Sequence, residues 1–399
     1  MIELSHSLIY KTFSALQKFS AESIRNVNYC QITLRSVIVV LWNYFTNFTS
    51  CKQIPLKTRL CLMKLNNRFF FLLLVSIMLF PPEVKAEKSI YVPTFNGTVR
   101  ARYEYLTREN KGAFKVRDLR FSIDGYVAPI VSYNGEVDFS DWGKIALVNA
   151  FVRVTPVKGL NFSLGQQRIP FTISAHRQPC EQYFVNRNFV AKYGGFRDVG
   201  LTGSYTIPKI PLTVQSGIYN CSGVGEHRLY FTNSYGFSVK LISPFLPNWY
   251  ISGSTARIKR GVAWEQMWDI GGYFDNGLWH VEAEYLRKHY MDHLFKAVNA
   301  FDFFVYRDFP IEKKIIQGIS GAIRYDYMGN HSSGVPDDDG HLIIDNPECH
   351  RLTLGATLSL KSKFQADFRL NYEKCFFNKG VIPTAPDDDK IVFEIIAHF

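Results

Sequence analysis

The chain has 399 residues, 47% of them hydrophobic and 15% aromatic, and its 46 Lys/Arg against 35 Asp/Glu give a formal charge of +11. Residues 1–86 hold ten of the basic and three of the acidic residues, so the remainder carries about +4, too little for a nucleic-acid footprint, and no basic helix or zinc spacing supplies one. No G-x-S-x-G, Walker, H-E-x-x-H or C-x-x-C pattern points to an enzyme, and none implies a cofactor or metal.

In chain order, residues 1–62 give no fold signal and are expected to be an over-long extension of the gene start. From Met63 the pattern is that of a secretory signal. Lys64 and Arg68 precede an apolar run from Phe69 to Phe80, and Pro81-Pro82-Glu83-Val84-Lys85-Ala86 closes it. The run is too short to span a bilayer, which takes roughly twenty residues. Cleavage is expected after Ala86, leaving 87–399 as the mature chain.

From Phe95 onward the pattern is strand after strand. Asp118–Asp124, Val131–Phe139, Arg351–Leu360 and Phe364–Tyr372 alternate apolar and polar residues strictly, the period of a sheet with two different faces. Alternation over roughly ten residues suits a tilted membrane-crossing strand. Short turns near Ala128-Pro129, Pro156–Gly159, Pro208–Ile210, Ser243–Asn248, Asp275–Gly277, Phe309–Lys313 and Lys361–Lys363 alternate with other links. Those fall at Thr107–Phe114, Ser140–Lys144, Arg168–Gly195, Cys221–Leu229, Arg257–Gly261, Lys288–Asn299, Gly329–Glu348 and Cys375–Asp387. The expected fold is all-β, a transmembrane antiparallel barrel of about 16 strands, with tight turns on the periplasmic side and longer loops outside. Its weakest strand is the one at Ala300–Asp308.

The longest link, Arg168–Gly195, is third among the outer loops. Phe171, Ile173, Tyr183, Phe184, Val185, Phe189 and Val190 make it too apolar for disorder, so it is expected to fold into the lumen. It carries an excess of basic residues, and Arg168, Arg177, Arg187, Lys192 and Arg197 are the candidates for an anion path. The alternative is an external loop whose Arg residues meet lipopolysaccharide phosphates. On the wall, Arg100, Arg102, Arg120 and Arg153 point inward by parity, but so do Glu104, Asp118, Asp124, Glu136 and Asp138, so the wall is mixed in sign.

Of the cysteines downstream of the signal, Cys349 and Cys375 stand out. With the turn centred on Ser362, Cys349 faces Cys375, and a disulfide is a candidate at that separation. The final strand places Ile391, Phe393, Ile395, Ala397 and Phe399 on one face and Glu394 and His398 on the other. A terminal Phe on such a strand resembles the assembly signal of outer-membrane barrels, read by the barrel-assembly machinery.

Two segments carry a family resemblance. Gly165-Gln166-Gln167-Arg168-Ile169-Pro170-Phe171 resembles the segment ahead of the constricting loop in the phosphate-selective porin O and P family of Gram-negative outer membranes. Arg197-Asp198-Val199-Gly200-Leu201 is similar to that family's return strand. The resemblance spans roughly residues 95–399 and implies a sixteen-stranded outer-membrane channel, commonly a homotrimer, passing small anionic solutes, with phosphate among the candidates. Lipid and lipopolysaccharide are the partners implied by the location. Two other readings stay open: a plugged structural or adhesive barrel, and a barrel hydrolase built on His280, His289 and His293.

Overall fold

The computed structural model describes residues 90–141, 144–224, 230–311, 313–360, 362–378, 381 and 388–399. The expected extension and signal peptide lie outside the described residues. Sixteen antiparallel strands close into a barrel. They are β1 (Thr94–Leu106), β2 (Lys111–Ala128), β3 (Val131–Asp141), β4 (Lys144–Val157), β5 (Leu160–Arg168), β6 (Arg197–Thr206), β7 (Thr213–Tyr219), β8 (Gly236–Leu246), β9 (Trp249–Arg260), β10 (Ala263–Asp275), β11 (Trp279–Tyr290), β12 (Val298–Pro310), β13 (Ile316–Met328), β14 (Cys349–Leu360), β15 (Gln365–Phe377) and β16 (Lys390–His398). Each strand pairs with its chain neighbours, and β16 returns to β1 with Thr98 opposite His398 and Leu106 opposite Lys390. Closure removes the sheet edge that would otherwise seek a partner.

Parity decides which face each side chain takes. In β16, Ile391, Phe393 and Ile395 are exposed on the outside, as is Phe399 just after it, whereas Val392, Glu394 and Ile396 are fully buried on the inside. Leu352, Leu354 and Leu370 are likewise exposed, while Thr353 between the first two is buried. A surface covered with Leu, Ile, Phe and Trp is costly in water and suited to a hydrocarbon solvent. The Ala300–Asp308 segment belongs to a full strand, β12, whose inward Ala300, Asp302 and Phe304 are buried.

The β1–β16 seam is fixed by a side chain. Backbone bonds join Gly97 N to Phe399 O at 2.7 Å and Phe399 N to Gly97 O at 3.0 Å. The Phe399 ring lies flat over Gly97, where an added Cβ would sit 2.3 Å from its Cζ. Only glycine leaves room for the ring, which meets Phe121 and Phe364 edge-on at 6.5 and 6.3 Å.

Link lengths depart from expectation in one respect. The first long-end link is confined to 107–110 because β2 begins at Lys111, and the link at 261–262 is as tight as the turns at the other end. The latter is possible because Gly261 adopts φ +54°, and a Cβ there would strike the Gly334 carbonyl at 2.3 Å. Alternation of strand direction is what closure requires; loop length is free to vary.

The Cys349–Cys375 register is corrected. In the β14–β15 ladder Cys349 faces Phe377 and Arg351 faces Cys375, because the turn centres on Lys363, one residue beyond Ser362. That moves every pair by two. The two cysteines become diagonal neighbours on the inner face, both buried and both free thiols. Diagonal Cα atoms lie roughly 7–8 Å apart, beyond the span of an unstrained disulfide.

Candidate functional site in the barrel lumen

The link between β5 and β6, residues 169–196, folds inside the barrel. It holds 3₁₀ turns at Ser174–His176 and Pro179–Glu181 and a short helix, α1 (Phe189–Gly194). Asn188 caps α1, its side chain accepting from Ala191 N at 2.7 Å. Phe171, Phe184, Val185, Phe189 and Val190 are buried, so the apolar content that marked the loop as packed is spent against the wall.

The loop is tied to that wall from β8 round to β1. Arg100 donates to Val185 O at 2.6 Å, Arg324 to Asn186 O at 3.0 Å, and Arg351 to Arg187 O at 2.9 Å. In the other direction, Asn188 Nδ2 donates to Asp302 at 2.6 Å, Phe189 N to Asp326 at 3.1 Å, Asn186 to Glu373 at 2.9 Å, and Ser174 N to Glu284 at 3.2 Å. These groups are buried, so each bond also satisfies an atom that would otherwise be stranded away from water. Wall charges further pair among themselves: Arg100 with Asp118 at 3.0 Å and Glu394 at 2.8 Å, and Arg351 with Glu373 at 3.4 Å.

Along β2–β6 the loop leaves space. Adjoining cavities of about 440, 240 and 190 Å³ share Arg120, Glu136, Asn149, Arg168, His176 and Arg197 as walls. Arg168, Arg187 and Arg197 converge here from β5, the loop and β6. Among the described residues neither Arg168 nor Arg187 makes an ion pair with a carboxylate. Arg197 stands 4.0 Å from Glu136 and donates to Asn149 Oδ1 at 3.3 Å. Burial, followed by the Arg120 and Arg197 charges, lowers the Arg187 pKa to about 10, still far enough above neutrality for the guanidinium to remain charged. It is held in place by donating to Arg177 O at 2.9 Å and Ala175 O at 3.3 Å. His176 beside it is buried and near Lys240 and Arg168, which keep its pKa well below the ordinary histidine value; it is neutral.

The other candidates sort differently. Arg177 points away from the cavities, to Glu282 on β11, with a bond at 2.9 Å. Its guanidinium lies over the rings of Tyr183 and Phe304 at 5.1 and 5.7 Å. Burial alone would lower its pKa, but the Glu282 carboxylate outweighs burial and raises it. Arg177 is thus a neutralised strut, which no spacing argument could show, because its partner is 105 positions away. Lys192 donates to Asn346 of the 329–348 loop at 3.1 Å and lines the 190 Å³ cavity at the long-loop end. Arg120 is held by Asp118 at 3.0 Å and Asp138 at 2.8 Å. Arg102 donates to Asn186 Oδ1 at 2.9 Å. Arg153 reaches into the 440 Å³ cavity and donates to Ser163 at 3.0 Å.

Sequence reasoning missed the anchoring roles of Asn186 and Asn188. Two asparagines inside an apolar stretch were the available signal. The three histidines do not gather: His280 faces the lumen between Asp275 and Glu282, at 3.0 and 3.1 Å, His289 lies on the outward parity of β11, and His293 sits in the following link.

Comparison with known proteins gives a fold. No family model matches the sequence, that of the resembled porin family included, and no curated protein is similar to it. Among solved structures, an anion-selective porin from Comamonas acidovorans superposes with a TM-score of 0.55 at 10% identity, covering 77% of this chain and 99% of its own. The outer membrane channel DcaP of Acinetobacter baumannii gives 0.54 at 11% identity, over 77% and 97%. A trimer form of OmpT, an outer membrane protein of Vibrio cholerae, gives 0.50 at 13% identity, over 77% and 98%. At such identities the likeness is one of fold: a closed 16-strand barrel with outer-membrane porins among its structural neighbours.

Proposed function

We propose that this chain is an outer-membrane porin, exported by its leader, with the 169–196 loop narrowing a passive channel that favours small anions. The observation that carries the anion preference is the pair Arg168 and Arg187, two guanidiniums without carboxylate partners among the described residues, beside the open cavities. The remaining basic side chains of the loop region are engaged elsewhere. A fixed positive charge in a narrow, partly desolvated passage attracts anions and repels cations more strongly than it would in bulk water. The exposed apolar belt supports a bilayer setting, with the long loops facing outward, and the trimer among the neighbours supports a homotrimer. Phosphate is one anion such a passage admits; nothing in the cavity is shaped for phosphate alone.

The plugged-barrel reading rests on the other half of the lumen, where the loop is bonded to the wall throughout. Liposome swelling separates the two. Vesicles bearing the barrel should swell faster with a small sugar acid than with the neutral sugar of the same size. No swelling with either solute refutes the channel, and faster entry of the neutral or cationic solute refutes the anion preference.

A further inference from the structure

We propose that the outer surface of β9–β11, at the long-loop end, binds the phosphate-bearing saccharide headgroup of a membrane lipid. The inference rests on the outer-membrane reading above and assigns a partner to one patch of the wall.

The patch follows from parity. In β9, Ala256 and Ile258 are buried, so Arg257 and Lys259 point out; in β11, Leu286 and Lys288 are buried, so Arg287 and His289 point out. The register brings them together. Gln266 of β10 faces Arg257 on one side and His289 on the other. Trp264 faces Lys259, and Trp268 faces Arg287. Directly opposed residues are about 5 Å apart and alternate residues along a strand about 7 Å. Four basic groups therefore share an area roughly 10 Å across the strands and about 14 Å along them, with Lys259 and Arg287 at opposite corners.

Two features make this patch unlike the rest of the wall. The outward residues of β9–β12, like those of the strands beyond them, include no Asp or Glu to cancel its charge. Among the described residues none of the four basic groups makes an ion pair, whereas the lipid-facing Lys374 is held by Asp389 at 2.5 Å. The cluster also sits among indole rings: the Arg257 guanidinium lies 5.2 Å from the Trp264 ring, and Trp268 is half exposed.

Charged groups are destabilising on a lipid face near the midplane and tolerated at the interface, the level that tryptophans occupy. Unpaired there, they call for anions fixed at headgroup depth. A single phosphate is too small to meet the Arg257, Lys259 and Arg287 charges spread over that area. Two phosphates on a saccharide match it; Gln266 Nε2 already donates to Thr255 at 2.8 Å and Asn299 Oδ1 accepts from Tyr285 at 2.8 Å, which leaves Gln266 Oε1 and Asn299 Nδ2 for sugar hydroxyls.

The test uses the purified full-length chain in mixed micelles, titrated with diphosphoryl lipid A and with the same lipid after removal of both phosphates. Wild type should bind the dephosphorylated lipid at least tenfold more weakly. A triple variant, Arg257→Gln with Lys259→Gln and Arg287→Gln, should lose at least tenfold for the diphosphoryl form. Arg307→Gln, at the opposite girdle where the guanidinium stacks 4.6 Å from Trp279 and Phe309, should lose nothing. Equal binding of the two lipids by wild type, or an unaffected triple variant, overturns the proposal. Should the triple variant fail to fold, the two-lipid comparison on wild type still decides. Quenching of tryptophan emission by brominated acyl chains separates the layers of the argument. Absent quenching sinks the bilayer reading and the site together, while quenching without phosphate discrimination sinks the site alone.

Discussion

Replacing Arg168 by Gln should weaken anion selectivity several-fold while leaving the barrel intact. Arg168 lines the 440 and 190 Å³ cavities and has no ion-pair partner among the described residues, so its charge acts on whatever ion passes. At about 6 Å, two unit charges interact by roughly 0.7 kcal/mol in water and about 3 kcal/mol at an effective dielectric of 20. An anion gains this and a cation loses it, so even the aqueous limit separates them by about 1.4 kcal/mol, or tenfold. Salt with a screening length of about 10 Å at 0.1 M reduces the effect, and 1 M salt should nearly abolish it. The assay is the anion-to-cation permeability ratio from reversal potentials at 0.1 M and 1 M salt. Arg168→Lys should retain most of the preference. The double variant Arg177→Gln with Glu282→Gln is the informative contrast: the two charges already cancel, so removing both should leave selectivity alone, whereas Arg177→Gln by itself should cost about 3–5 kcal/mol by stranding a buried carboxylate. A ratio that falls for the Arg177/Glu282 double variant and not for Arg168→Gln would refute this assignment of the path.

Three further outcomes are expected. Leu354→Arg, on the exposed face, should cost about 2–4 kcal/mol near the bilayer midplane, whereas Thr357→Arg, which faces a recess of about 460 Å³ under the loop, should refold nearly as wild type; equal damage to insertion into vesicles would contradict the parity. Cys349 and Cys375 should both be alkylated in unfolded protein without prior reduction, and a peptide pair linked in non-reducing maps would show that the register differs from the one described. The 329–348 loop should loosen in mild acid. His331 there is buried between Lys288 Nζ, 3.0 Å from Nε2, and Asp345, 3.3 Å from Nδ1, with the Tyr193 ring tilted against it at 4.0 Å and Arg260 nearby. Burial, then Lys288, lowers its pKa to about 3 against an ordinary 6.5, so the closed loop takes up fewer protons than the open one. Its stability is complete above about pH 6.5 and falls by roughly 1.4 kcal/mol per pH unit below. Hydrogen exchange of the loop should rise between pH 7 and 5 and lose that dependence in His331→Gln; unchanged protection in wild type would contradict the latch.

Strand positions were legible because parity is local: Ile391 to Phe399 announce an outward face in nine residues, and a closed sheet forces the even strand count. Register was less so, since a turn shifted by one residue moves Cys349 from Cys375 to Phe377, and no pattern within 361–364 fixes its centre. The loop's entry into the lumen was readable from its apolar residues. Which of its arginines stay unpaired was not, because Glu282, Glu284, Asp302 and Asp326 lie on the eleventh to thirteenth strands and meet the loop only when the sheet has curled round. A count of basic residues treats Arg177 and Arg168 alike; the geometry cancels one and leaves the other.

The central claim is an open passage whose unpaired guanidiniums favour anions. Single-channel recording of the wild-type chain in planar bilayers under a salt gradient tests it most directly. The expected result is a steady conductance whose reversal potential has the sign of anion permeation. A barrel that inserts without conducting, or conducts with the sign of cation permeation, would contradict it.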